Sequence, residues 1–469
     1  MNIFFSSMGN VEFGIPVLLQ KMTNELTQRG HNCYYLSIIN GKGIDGDEDL
    51  YRKLQICATR IAINEETDFP YKEYANYSEY ELKDTLLNDK INLMTDQKVL
   101  IQLRTYLENI RSADEKYGID AFVVWGMRDR ERLIQKYALR HNKKIVFLEH
   151  GYFRPFTLTV DPQGINYDNV LPREAEFYNN INIDKELINF LNIPITALED
   201  KKAKQEYKNI VNKHYGSLRY TLEKVSLKIN GVKKNWTTIA RKAVSYYQRM
   251  RKRQKDNVLL RWNEWRAKKF LESGGAYFFV PFQLKNDTQT LKYSDYIKDM
   301  KQFVETIGNA VSEYNKLYGS NIGIIFKTHP MFRIKEPELE IGEIVKICKG
   351  LSHAYLVERI NTSQLINNSK LVVTINSTVG IEALVRKKPV VTLGKTFYNI
   401  EGITFHASTP NEIVSRLAQA MQNEVNWSLV EKFLYYIRFH YFSEIYYLSP
   451  DDHSIKQLVD RILDLIDSK

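Results

Sequence analysis

Residues 371–384 read LVVTINSTVGIEAL, an apolar run that breaks at Asn376-Ser377-Thr378 and resumes as a helix. An apolar run closed by small polar residues reads as a buried strand. Ser, Thr and Asn at the start of a helix satisfy backbone N–H groups that have no partner within the helix. The same N–H groups, with the helix dipole behind them, favour a bound anion, typically phosphate. Two readings stand open, a plain cap and a phosphate site, and both put the stretch in a strand–turn–helix unit.

The alternation continues on either side. PVVTLG follows as another strand, and AYFFVPF, the helical DYIKDMKQFVETIGNAVSEYNKL, NIGIIFK and AYLVE come before. The first 180 residues repeat the theme: NIFFSS as a strand, IPVLLQKMTNELTQRG as a helix ended by glycine, NCYYLSII as a strand, then DAFVVWG, RERLIQKYALRHN and KKIVFLEHG. Strand–helix–strand repetition implies parallel sheets. The expected architecture is α/β, with Rossmann-like domains over 1–180 and 273–469 facing a central cleft and a helical, basic insert over 181–272 between them. In such domains the loops after the strands carry the chemistry.

Composition bounds the rest. With 469 residues, 43% hydrophobic and 26% charged, the chain buries substantial cores and is not generally disordered. No window approaches the roughly 18 consecutive apolar residues of a membrane span, and the start lacks a basic, then apolar, secretory leader. Cys33, Cys57 and Cys348 are scattered and lack metal-ligand spacing, which fits a reducing cytoplasm. The net charge of +10 is concentrated between Thr221 and Phe270, where 15 Lys or Arg face 3 Asp or Glu. Trp, Tyr and Leu interleave with these cations at roughly helical spacing. That pattern suits either a solvated basic helix pair or a helix lying on an anionic membrane, and no nucleic-acid motif accompanies it.

Four strand ends carry candidate chemistry. His329, in FKTHP, follows NIGIIFK and has Lys327 two residues before it; it is either a structural histidine or, with Ser377 and Thr378, a phosphate ligand. Glu149 ends the strand KIVFLE and is either a surface strand-end carboxylate or, at the mouth of a partly apolar cleft, an acid/base group, and Gly151 lets the backbone turn closely. Asp287, in PFQLKNDTQT, and Asp161 and Asp168, in TVDPQGINYDN, are equally ordinary turn residues. Asp45, Asp47 and Asp49 imitate the start of a calcium loop. Leu50 and Ile56 stand where it needs Gly and Glu, so calcium is not expected; the stretch reads as an acidic surface loop, with a divalent-metal D-x-D site of a sugar-nucleotide enzyme as the alternative.

These blocks together resemble the capsular polysaccharide synthesis and export proteins of the KpsS and KpsC kind, retaining β-Kdo glycosyltransferases. LEHGYFRPFTLTVDPQGINYDNVLPREAEFY is similar to the family's Glu-x-Gly-Tyr-x-Arg-Pro block and FVPFQLKNDTQ to its Pro-Leu-Gln-x-x-x-Asp-x-Gln segment. IIFKTHP resembles its Lys-x-His-Pro, and TINSTVGIEALVRKKPVVTLGKTFYNIEGIT its Asn-Ser-Thr-Val-Gly block. The resemblance, closer to the single-module KpsS type, implies a GT-B-like pair of domains, CMP-Kdo as donor, no metal or cofactor, and a phosphatidylglycerol-type lipid acceptor at the inner face of the cytoplasmic membrane. It implies His329, Ser377 and Thr378 on the CMP phosphate, Asp287 as nucleophile and Glu149 as acid/base. Arg154 and Lys327 are placed to line an anionic donor site, and Asn376 to orient the phosphate loop. Other capsule-assembly proteins are the implied partners. His150 departs from a frequently acidic position, and WGMRDRE at 125–131 from a Gly-Asp-x-Arg form. A CDP-glycerol-type glycerophosphotransferase and a non-catalytic export scaffold on the membrane are the rival readings.

Overall fold

The computed structural model describes residues 1–6, 15–39, 57–64, 93–191, 236–284, 288–335, 339–422, 424–447 and 449–468. Asp45, Asp47, Asp49 and Asp287 lie outside the described residues, as does most of the expected insert before Trp236. The chain divides into two compact units: Met1–Pro172 with Ile181–Tyr207 and Phe433–Lys469, and Arg173–Asn180 with Lys208–Lys432.

In the first unit the described strands are β1 (Asn2–Phe5), β2 (Asn32–Ile39), β3 (Thr59–Asn64), β4 (Ala121–Trp125), β5 (Lys144–His150), β6 (Thr157–Asp161) and, late in the chain, β13 (Ser443–Glu444). They form one sheet in the order β13-β6-β5-β4-β1-β2-β3. Pairs from β5 to β3 are parallel, while β5–β6 and β6–β13 are antiparallel. The order reverses between β1 and β4, whose ends are tied by Ser6 N–H donating to the Val123 carbonyl and Trp125 N–H donating to the Ser6 hydroxyl. Successive side chains on a strand point to opposite faces, so Ile3 and Phe5 join one core with Val123, Val146 and Leu148. Phe4 joins the other with Phe122, Val124 and Phe147. Helices α1 (Ile15–Gln28), α2 (Leu93–Tyr117) and α3 (Asp129–Arg140) belong to this unit. A C-terminal helix, Asp452–Asp467, returns to it and adds Ile455, Leu458, Val459, Ile462 and Ile466 to the first core. The expected domain of 273–469 therefore gives its tail to the opposite unit.

In the second unit β7 (Tyr277–Pro281), β8 (Gly323–Lys327), β9 (Ala354–Val357), β10 (Leu371–Thr374), β11 (Val390–Thr392) and β12 (Phe405–His406) form a sheet in the order β12-β11-β10-β7-β8-β9. Every pairing in it is parallel. β7, β8 and β10 are buried at every position, as strands covered on both faces must be. Helix α4 (Trp236–Glu272), the described end of the basic segment, belongs to this unit and covers the free edge of β9. Asn263 Oδ1 accepts from Leu356 N–H at 2.8 Å, and Glu264 Oε2 accepts from the N–H groups of Glu358 and Arg359, each at 3.0 Å. Side chains thus replace the missing neighbour strand. Helix α5 (Met300–Tyr318) starts where Asp299 caps Gln302 N–H and stops at Gly319, whose φ of +58° ends the helix in the left-handed region.

Candidate active site

Within the second unit the order of strands reverses between β7 and β10, the position at which parallel sheets bind ligands beyond their strand C-terminal ends. The Asn-Ser-Thr turn lies there. Gln283, just past β7, donates from Nε2 to Asn376 Oδ1 at 2.8 Å, while its Oε1 accepts from Asn376 N–H at 3.0 Å. Both residues are buried. Asn376 Nδ2 also donates to the Lys395 carbonyl, and Ser377 N–H to Thr374 Oγ1. Close packing completes the turn. A Cβ on Gly380 would fall 2.7 Å from the Tyr398 hydroxyl, and one on Gly394 would fall 2.6 Å from the Tyr293 carbonyl. The Tyr398 hydroxyl donates to the Ser377 carbonyl at 2.5 Å.

Helix α7 (Val379–Val385) begins after Thr378, which makes no side-chain cap bond. Ser377 Oγ accepts from Val379 N–H at 3.2 Å. Ser377 supplies a local turn bond, whereas the half-buried Thr378 hydroxyl is not spent on the helix. A plain cap accounts for one of the two hydroxyls.

His329 follows β8, the neighbour of β7, so parallel pairing sets it on the same end of the sheet. Its Nδ1 accepts from Met331 N–H at 3.1 Å. A ring nitrogen that accepts a backbone N–H carries no proton, so the neutral ring has its proton on Nε2 and is a donor there. Lys327 is buried and donates from Nζ to the Glu358 carbonyl at 2.5 Å. Burial lowers its pKa, opposed by the charges of Glu264 and Glu358. Glu358 is itself clamped by two bonds from Arg333, at 2.5 and 2.6 Å, and that guanidinium holds its carboxyl below the usual range. One of the three Lys327 Nζ donors is thus engaged by the fold.

Glu149 lies on the last turn-ward residues of β5, half-buried, with Oε1 accepting from His150 N–H at 2.9 Å. A Cβ on Gly126, at the end of β4, would stand 3.6 Å from Glu149 Oε2. The adjoining loop is tight. A Cβ on Gly151 would lie 2.2 Å from Thr157 Oγ1, and Gly151 N–H donates to the Thr157 carbonyl at 2.8 Å. Arg154 is exposed, with Nε reaching the Gly151 carbonyl at 3.4 Å. His150 is buried between Trp125 and Tyr447, ring centroids 5.0 and 4.6 Å away, and burial, aided by the Arg154 charge, pushes its pKa well below the ordinary histidine value.

Asp161 is fully buried. Its carboxylate accepts from the N–H groups of Gln163, Gly164 and Val170 and from the Tyr441 hydroxyl at 2.8 Å. This carboxylate organises the turn after β6. Sequence reasoning passed over Gln283, which sits in the FVPFQLK block with no evident duty until its partner is seen. It also missed the segment after Tyr436, whose Ile445 and Tyr447 N–H groups bond the carbonyls of Phe156 and Pro155 and whose Phe442 ring packs on Phe153. Among the described residues no cluster of three or more His, Cys, Asp or Glu side chains is placed to hold a metal, and no helix is long and apolar enough to cross a membrane.

The chain matches the model of a family described as capsule polysaccharide biosynthesis protein. The match spans residues 120–441, and the chain belongs to that family. Among relatives, the chain is 24% identical to Protein FixF of Sinorhizobium fredii, over 78% of this chain and 72% of that protein. It is 28% identical to the capsule polysaccharide modification protein LipB of Neisseria meningitidis, over 62% and 67%, and 23% identical to the capsule polysaccharide export protein KpsS of Escherichia coli, over 63% and 72%. Among solved structures, KpsC of Thermosulfurimonas dismutans, a beta Kdo 2,7 transferase, aligns at 18% identity over 76% of this chain and 89% of that one, with a TM-score of 0.39.

Proposed function

We propose that the protein is a retaining glycosyltransferase that moves Kdo from CMP-Kdo to a phosphatidylglycerol-type lipid at the inner face of the cytoplasmic membrane, in capsule polysaccharide biosynthesis. The observation that carries this reading is the Gln283–Asn376 lock at the reversal point of the second sheet, with His329 on the adjacent strand end. Together with the four sequence blocks it supports a preorganised donor-phosphate site of neutral donors.

In the first step the Asp287 carboxylate attacks the anomeric carbon of Kdo. The bond to CMP breaks and its electron pair leaves on the phosphate oxygen. His329 Nε2–H and the Ser377 and Thr378 hydroxyls donate to that phosphate as charge grows on it, which is where fixed donors lower the barrier most. Asn376, held by Gln283, keeps the turn in place. Arg154 answers the donor's own carboxylate. In the second step the lipid hydroxyl displaces Asp287 from the opposite face and passes its proton to Glu149. Two inversions give net retention. Lys327, which gives one of its three Nζ donors to the Glu358 carbonyl, is a second cation lining the anionic donor.

The test is to incubate the purified protein with CMP-Kdo and a short phosphatidylglycerol analogue and to measure CMP release and product mass. Glu149→Gln, which cannot take the acceptor proton, should accumulate a Kdo adduct visible by intact-protein mass and mapping to Asp287. Transfer by Asp287→Ala, or an adduct on a different carboxylate, removes the assignment. Turnover of CDP-glycerol in place of CMP-Kdo favours a glycerophosphotransferase.

A further inference from the structure

Among the described residues, the outer face of α4 carries a row of exposed side chains. Leu260, Asn263, Glu264 and Ala267 turn inward to β9 and are buried. On the opposite face Val258, Trp262 and Trp265 are 68%, 42% and 57% exposed, at spacings of four and three residues that put them on one line. Arg261, Lys268 and Lys269 are exposed along the same line. Lys349, from helix α6 (Ile341–Gly350), stands 4.4 Å from the centroid of the Trp262 ring, and Arg266 stands 4.9 Å from it. The cations hold that indole in place without covering it. Beside Trp265 a small pocket is lined by Arg261, Lys268 and Arg359, with the carboxylates of Glu264 and Glu358 already engaged by backbone N–H groups and by Arg333.

We propose that this face docks the protein on an anionic phospholipid bilayer, with Trp262 and Trp265 at the depth of the headgroups and Arg261, Lys268 and Arg359 on lipid phosphates. Charge complementarity selects the occupant. Indoles seated among long cationic side chains match the boundary layer of a bilayer, where an aromatic ring is half in apolar surroundings and a cation reaches back to phosphate. The apolar stripe belongs to one helix and is flanked by cations, whereas a protein partner is met by a broader apolar centre with few charges. The inference deepens the proposed reading, because a lipid acceptor has to be reached at a bilayer. It is nevertheless independent of the donor site.

The experiment is co-sedimentation of the full chain with vesicles of phosphatidylglycerol and phosphatidylcholine, set against vesicles of phosphatidylcholine alone. Trp262→Ser/Trp265→Ser, which removes the interfacial rings, and Arg261→Gln/Lys268→Gln/Arg359→Gln, which removes three cations from the anionic surface, should each weaken binding to the anionic vesicles by about tenfold or more. Circular dichroism should show both variants folded. Inorganic phosphate at millimolar concentration should compete weakly beside raised salt, which distinguishes a lipid surface from a free-phosphate site. Unchanged anionic-vesicle binding in both variants, equal binding of the wild type to neutral vesicles, or no vesicle binding at all overturns the proposal, the last outcome leaving the face to a protein partner. CMP release with a water-soluble acceptor should persist in both variants. Its loss in wild type and variants alike strikes the transferase reading and leaves vesicle binding untouched.

Discussion

The side-chain amide of Gln283 spends both of its ends on Asn376, so the two residues act as one rigid joint between β7 and the turn after β10. Gln283→Leu keeps the volume and removes both bonds, leaving buried polar groups of Asn376 without those partners. A loss of about 1–3 kcal/mol in unfolding free energy is expected, with weaker CMP binding by calorimetry. Ser377→Ala/Thr378→Ala should weaken CMP binding at a smaller stability cost, because only the Ser377 bond from Val379 N–H is lost and Thr378 makes no cap bond. Unaltered CMP affinity in that pair would mark the turn as a plain cap. His150 gives a pH test. Its folded pKa lies well below the unfolded value of 6.5, so below pH 6.5 the unfolded chain binds a proton that the folded chain refuses. Stability from this group is complete above pH 6.5 and falls as pH drops toward the folded pKa, with a slope approaching about 1.4 kcal/mol per pH unit. Chemical denaturation of wild type and His150→Phe across that range should show a shallower slope in the variant, what remains coming from groups such as His31 and His406, whose pKa values burial also lowers.

At the scale of elements, α4 shows why an edge strand needs a partner. Asn263→Leu should leave Leu356 N–H buried and unbonded, at a cost of about 1–3 kcal/mol. Hydrogen exchange should speed up selectively at β9, and uniform exchange across the second unit would argue against the edge-cover role. The helix was legible as a basic, aromatic-rich segment because charge and spacing are local. Its docking was not, because Asn263 and Glu264 look like any polar helix residues until the β9 amides are placed opposite them. The strand ends were legible for the opposite reason. Apolar runs closed by His-Pro, Glu-His-Gly or Asn-Ser-Thr announce their own boundaries. Asp161 was ambiguous because the three N–H groups and the phenol that hold it come from the turn after β6 and from Tyr441, far along the chain.

At the scale of the whole molecule, the return of Phe433–Lys469 to the first unit is the feature least visible in sequence, since an amphipathic last helix does not say which core it joins. The core does. Ile455, Leu458, Val459, Ile462 and Ile466 are buried against a cluster containing Ile3, Leu18, Leu19 and Met22, and Lys21 of α1 bonds the Pro450 carbonyl and pairs with Asp452. Each such apolar side chain contributes about 1.5–3 kcal/mol when fully buried, and a domain's net stability is only about 5–15 kcal/mol. Losing the helix therefore removes a share comparable to the whole margin. A chain ended at Lys432 should fail to fold its first unit, with the Glu149 loop losing the Ile445 and Tyr447 bonds as well. Residues 1–207 alone should aggregate, whereas 1–207 joined by a flexible linker to 433–469 should give a cooperative thermal transition and dispersed amide spectra. A cooperative transition in 1–207 without the tail would show that the first unit holds together without it and that the C-terminal helix is an accessory to it.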